Sequence, residues 1–402
     1  MEETAGQLVR AFRRRAGLTQ AELGRRLDPP KVQSAISDIE NDVAPLDSVA
    51  LINSLARVLG VHPADLTGQP YRVGLTPSED RGHAAVAEIR RQIERYDLDP
   101  EWDGPARSVS ELADAVAQCT ALRQGALYGR LAERMSPLLA ELQAASALYA
   151  GQERDELFRL RAVAYREADA AAHALGYLDL SILATERVRW AAALSGSALQ
   201  VGIGEYLRAR QLWESASWPD ALSVLDRAVD TLQSSGQAST PAGISVIGSI
   251  HLRAAITAAR KYDADEAWTR YDEAKGCLDR LGDDPPDYCK LVFTRGNIEI
   301  HGPAIAVELG DGAQAVRRGT GLRVDPKLPK SRAGHYHLDM ARGWLWYGDR
   351  ERSLAALEKA DRTAPALIRH HPMAQALVRS LRDAEQRSMS QRIRTMASKL
   401  HV

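Results

Sequence analysis

Apolar side chains recur at three- and four-residue steps through almost the whole chain. No alternating run is long enough to read as a strand. The pattern is sharpest in LTQAELGRRLDPPKVQSAISDIEN, residues 18–41, which predicts two short helices around a tight turn. Thr19 is placed to cap the first, and Glu22, three residues on, completes a capping box. That helix runs from Gln20 to Leu27 and hides Ala21, Leu23 and Leu27. Asp28-Pro29-Pro30 cannot continue it, because each proline restricts its predecessor and lacks an N–H. The second helix runs from about Val32 to Asn41. It hides Ala35, Ile36 and Ile39 and leaves Gln33, Ser34, Ser37 and Asp38 outside. Small and amide side chains at the exposed start of a second helix can read a major groove. Leu46 to Leu59 and Pro63 to Leu66 predict two more helices, which makes residues 1–68 one unit. Gly and Pro at close spacing mark 69–77 as a linker.

Residues 78–196 predict a purely helical segment, the start of a solenoid or dimerisation region. Its helices run to about Tyr96, from Ser108 to Leu131, Met135 to Leu148, Glu153 to Leu175, and Leu178 to Leu194. Within residues 197–402 a repeat emerges, each copy a helix, a short polar break and a second helix. The second helices align on Ala221, Ala267, Ala315 and Ser353. Leu225, Tyr271, Gly319 and Leu357 follow one turn on, then Ala228, Ala274, Leu322 and Ala360. The third copy is the weakest, with Arg318 and Gly319 where an apolar residue is expected. QALVRSLRDAEQ and SQRIRTMASKL predict closing helices.

The N-terminal unit resembles the lambda-repressor-like, or XRE, helix-turn-helix family. The residues that carry the match are Arg13, Gly17-Leu18-Thr19-Gln20, Leu23, Ile36-Ser37, Ile39-Glu40-Asn41 and Leu55-Ala56 with Leu59-Gly60-Val61. The resemblance implies a five-helix DNA-binding domain in which Gln20 and Asn41 hold phosphates and Gln33, Ser34 and Ser37 face bases. It also implies a structural pair between Arg13 and Glu40. The Asp28–Lys31 turn is about two residues longer than the family pattern, and Asp38 stands where Gln or Arg is common. The small, large, small spacing of the array resembles tetratricopeptide (TPR) repeats, at a longer period than the usual ~34 residues. The whole chain is then all-α, a helix-turn-helix head followed by a TPR-like α-solenoid. That order resembles the peptide-regulated RRNPP transcription factors and the XRE–TPR regulators of actinomycetes. The resemblance implies a homodimer on a double-stranded DNA operator, controlled by a peptide or small-molecule effector in the array.

Net charge narrows the DNA-binding reading without removing it. With 52 Lys+Arg against 53 Asp+Glu there is no global basic field, so phosphate contacts must come from clustered cations. Arg10, Arg13, Arg14, Arg15, Arg25, Arg26 and Lys31 supply that cluster, with Arg14 and Lys31 the candidates beside the recognition helix. The three cysteines have no paired spacing, and His335-x-His337 puts its rings on different helix faces, so neither a metal site nor a disulfide framework is expected. No phosphate-binding loop or nucleophile elbow occurs, and no cofactor is implied. No run reaches membrane-spanning length, and the expected location is cytoplasmic.

The concave face of such an array is made by the first helix of each pair. Its inward positions are expected to include Tyr206, Arg210, Ser249, Asn297, His335 and Arg342, the candidate effector contacts. Asn297 can donate and accept at once; the competing reading makes it a satisfied polar residue in a bend at FTRGNIEIHG. The tryptophans are assigned to packing between helices. A rival reading of the whole chain is a scaffold or inhibitor that works through protein partners, with the head as an auxiliary module.

Overall fold

A computed structural model describes residues 4–44, 46, 48–61, 63–67, 77–282, 285–369, 371–383 and 389–400. All regular structure among them is helical. The head holds α1 (Ala5–Arg15), α2 (Gln20–Arg26), α3 (Gln33–Glu40), α4 (Val49–Leu59) and α5 (Pro63–Thr67). Reciprocal capping boxes at Thr4/Gln7 and Thr19/Glu22 start α1 and α2, and Gly60, at φ 66, ends α4 in the left-handed conformation. The core of the head is Val9, Leu18, Leu23, Ile36, Ile39, Leu55 and Leu66. Most of the expected 69–77 linker lies outside the described residues.

The next segment contains α6 (Pro77–Glu94), α7 (Val109–Gln124), α8 (Tyr128–Leu148), α9 (Gly151–Ala174) and α10 (Leu178–Leu194). The helix expected from Ser108 to Leu131 is split in two. Gly125 closes α7, and Ala126 turns to φ 56 before α8 begins. Met135, expected to open a helix, is buried in the middle of α8, which continues through Pro137. Tertiary packing outweighs the local proline penalty here.

Four antiparallel hairpins follow: α11 (Ala198–Glu214) with α12 (Trp218–Ser234), α13 (Pro241–Arg260) with α14 (Ala264–Leu281), α15 (Arg295–Glu308) with α16 (Gly312–Gly319), and α17 (Lys330–Tyr347) with α18 (Arg350–Thr363). The four small anchors, Ala221, Ala267, Ala315 and Ser353, are fully buried, as the repeat spacing requires for close helix approach. The weak third copy has a physical cause. A Cβ at Gly319 would occupy the space of the Met340 side chain, and the Tyr336 hydroxyl donates to the Gly319 carbonyl at 3.1 Å. The glycine lets α17 come close, and α16 stops there. Only α13 is long and apolar enough to cross a membrane, among the described residues, and 78% of its apolar window is buried inside the fold.

α19 (Pro365–Ile368), α20 (Pro372–Asp383) and α21 (Ser390–Leu400) close the array. Arg392 grips Glu358 at 2.9 Å and Lys399 reaches Asp361 at 2.5 Å, which fasten α21 to α18. The apolar core of the head is continuous with this end: Val9, Leu23 and Leu55 belong to one cluster with Leu338, Leu357, Met373, Leu377 and Ile393.

Candidate DNA interface and ligand cavity

The recognition helix α3 is fixed from beneath by one buried carboxylate. Glu40 is 1% exposed. It accepts from Arg13 through both Nε and Nη2, the latter at 2.9 Å, and from Gln20 Nε2 at 2.9 Å. Arg13 also donates to the Leu18 carbonyl at 2.7 Å, so one guanidinium ties α1, the turn and α3 together. Burial alone would raise the Glu40 pKa, but the bonds from Arg13 and Gln20 hold it below the usual carboxylate value.

The outer surface of α3 carries Gln33, Ser34 and Asp38 exposed, with Ser37 half-buried. Gln20 is not free to swing: its Oε1 accepts from Gln33 Nε2 at 2.6 Å while its Nε2 holds Glu40. Asn41 Nδ2 donates to the Ser37 carbonyl at 2.8 Å, and its Oδ1 accepts from Arg10. Four of the five implied phosphate and base contacts therefore fall into two bonded groups, Gln20–Gln33 and Arg10–Asn41–Ser37, at the two ends of one helix. Lys31 is half-buried ahead of α3, and Arg14 is exposed on α1.

A cavity of about 490 Å³ lies against α9, α11, α13, α15 and α17. That size is ordinary for a small-molecule site. All six inward positions named from the sequence, Tyr206, Arg210, Ser249, Asn297, His335 and Arg342, line it. Their states differ. Arg210 is paired with Asp169 at 2.5 Å, and Arg342 with Glu308 at 3.2 Å, a carboxylate it shares with Arg260. Ser249 Oγ donates to the Ser245 carbonyl at 2.9 Å. FTRGNIEIHG is not a bend at Asn297: Thr294 caps α15, and Asn297 sits in its first turn. Asn297 is 2% exposed and its amide oxygen has no hydrogen-bond partner among the described residues.

Several lining residues escaped the sequence reading although helical spacing reaches them. Arg253 lies one turn after Ser249, His301 one turn after Asn297, and Arg332 one turn before His335. Arg253 stacks 3.5 Å from the centre of the Tyr206 ring. Trp213, assigned to packing, is also a wall residue, and its Nε1 donates to Thr257 Oγ1 at 3.0 Å. Four head residues complete the wall: Ile52 and Asn53 of α4, and Pro63 and Thr67 of α5. The Asn53 amide donates to the carbonyl of Trp213, a direct bond between head and array.

Burial sets the protonation of the cavity histidines. It pushes the His371 ring down to about 3 and the His301 ring down to about 4. Outside the cavity, His337 is likewise lowered to about 4. Above those values the rings are neutral when folded, whereas in the unfolded chain they take up protons below about 6.5. Their contribution is therefore whole above pH 6.5, their unfolded value, and is lost as pH falls toward 4. Asp339, raised to about 6 by burial, acts in the opposite direction over part of that range. Urea unfolding at successive pH values should show stability dropping by about 1.4 kcal/mol per pH unit for each such histidine. His371→Asn should flatten the slope, and an unchanged slope would assign the loss elsewhere.

Residues 5–67 match the helix-turn-helix domain family. The head is such a domain. No curated protein sequence matches the chain. Among solved structures, that of PlcR from Bacillus thuringiensis, in complex with the peptide PapR7 and DNA, is 15% identical. It aligns over 70% of this chain and 96% of that one, with a TM-score of 0.30.

Proposed function

We propose that the chain is a sequence-specific DNA-binding transcriptional regulator whose head is controlled by a ligand in the array cavity. The observation that carries this reading is the shared wall. The helices that follow the recognition helix, α4 and α5, contribute Ile52, Asn53, Pro63 and Thr67 to the cavity. A ligand seated there touches the DNA-binding unit itself, which supports the reading that it favours one position of the head over another. The regulator acts as a homodimer in the cytoplasm, each protomer placing α3 in one half-site of a pseudo-palindromic operator, with half-sites about one helical turn, ~34 Å, or a multiple apart.

Selection of genomic DNA fragments on the purified full-length chain, at about 150 mM salt to suppress non-specific binding, tests this. A motif with dyad symmetry is the expected result. Gln33→Ala with Ser37→Ala should then lose about 1–3 kcal/mol of discrimination per lost base contact. Diffuse binding that the double substitution leaves unchanged would transfer the function to the array and its protein partners.

A further inference from the structure

The cations around the cavity are unevenly matched. Arg123 and Arg166 share Glu167, Arg210 holds Asp169, and Arg260 and Arg342 share Glu308. Arg253 and Arg332 have no carboxylate partner among the described residues. Both guanidiniums face the Tyr206 side chain, and Arg253 donates to the Tyr206 carbonyl at 2.8 Å. Two neighbouring cations without a counter-charge repel each other, and they do so strongly where water is scarce. An anion between them removes that cost and makes charge-assisted hydrogen bonds with both. The same charges reach the His301 ring, whose Nδ1 lies 2.6 Å from the Asn297 carbonyl oxygen. Asn297 lines the same cavity as the cation pair, with a buried amide oxygen that lacks a donor among the described residues. A buried unpaired acceptor is costly, and a ligand N–H or O–H satisfies it.

We infer that the cavity takes a small organic anion, its carboxylate or phosphate seated between Arg253 and Arg332 and a hydrogen-bond donor of the same molecule at the Asn297 amide oxygen. This rests on the reading of the cavity as an effector site. The position of Tyr206 supplies a signal. Burial raises its pKa, but the two guanidiniums win and hold it at about 8, so an anion that screens them returns the hydroxyl toward its ordinary value.

The test uses the full-length protein without DNA, with inorganic phosphate and benzoate as probes against chloride at matched ionic strength. Both the Tm and the ultraviolet signal of tyrosinate are followed, with Tyr206→Phe identifying the tyrosine concerned. Expected are a saturable rise in Tm with half-effect at about 1 mM, an upward move of the Tyr206 titration, and at least tenfold weaker response in Arg332→Gln. Arg332 is half-buried and bonds the Tyr206 hydroxyl rather than a carboxylate, a bond that Gln can also make, which makes that variant tolerable to the fold; Asn297→Asp, which adds a negative charge to the cavity wall, should weaken the response by a second route. A stronger phosphate response marks a phosphorylated ligand, and a stronger benzoate response marks a carboxylate. Responses equal to chloride, or unchanged in Arg332→Gln, overturn the inference. Operator affinity measured in the same samples separates the two levels: anion binding that leaves DNA affinity unaltered sinks the effector reading while the anion site stands.

Discussion

Glu167→Ala should cost the array about 3–5 kcal/mol, the loss expected when one partner of a buried charge network is removed. Glu167 is fully buried on α9. It accepts from Thr120 Oγ1 at 2.9 Å, Arg123 Nε at 2.6 Å and Arg166 Nη2 at 3.2 Å. Without it, two guanidiniums stay buried with no counter-charge, and burial already depresses the Arg166 pKa. The damage should spread, because Arg123 and Arg166 also donate to the Lys290 and Cys289 carbonyls and hold that loop against the cavity. Domains have only about 5–15 kcal/mol in hand, so the urea midpoint should fall steeply while the slope of the transition stays the same. Glu167→Gln, which keeps the Thr120 contact, should lose less. A midpoint within experimental error of the parent would show that the network is relieved by solvent.

Arg13→Ala should be the most damaging single change in the head, at about 3 kcal/mol, the low end for a broken buried pair because Arg10 lies 3.6 Å from Glu40 and can follow it. The loss is largest above about pH 4.5, where Glu40 is charged in both states, and shrinks as pH falls, since its folded pKa lies below that ordinary value. Hydrogen exchange at the α3 amides reads the effect locally. Operator binding should fail with it, as Gln20 and through it Gln33 are aligned on the same carboxylate. Protected α3 amides in the variant would move the support of α3 onto Ile36 and Ile39 alone.

Much of this architecture is written in local signals. The Thr19/Glu22 box, the Asp28-Pro29-Pro30 stop and the small-residue anchors act within one or two turns, and the corresponding helices lie where the pattern puts them. The split between α7 and α8 has Gly125 as its local mark, but the strong helix formers on either side carry the apolar spacing past it, and both helices pack on α9. The cavity was half legible. Counting inward positions reached Asn297 and Tyr206, which share its lining. It could not reveal that Arg210 and Arg342 have their charges taken by Asp169 and Glu308 while Arg253 and Arg332 do not, because those pairings join helices far apart in sequence. The participation of α4 and α5 was equally hidden, since nothing in either segment says which surface the head rests on.

The Asn53–Trp213 bond and the shared wall have a reciprocal consequence. Any factor by which a bound ligand alters operator affinity must equal the factor by which bound operator alters ligand affinity, since the two paths around the cycle end in the same ternary complex. If the cavity controls the head as proposed, operator DNA is itself a modulator of the cavity. On a genome, molecules sitting at their target and molecules free in solution would then answer to different ligand concentrations, and the sharpness of such a switch would depend on how many copies of the site the cell contains.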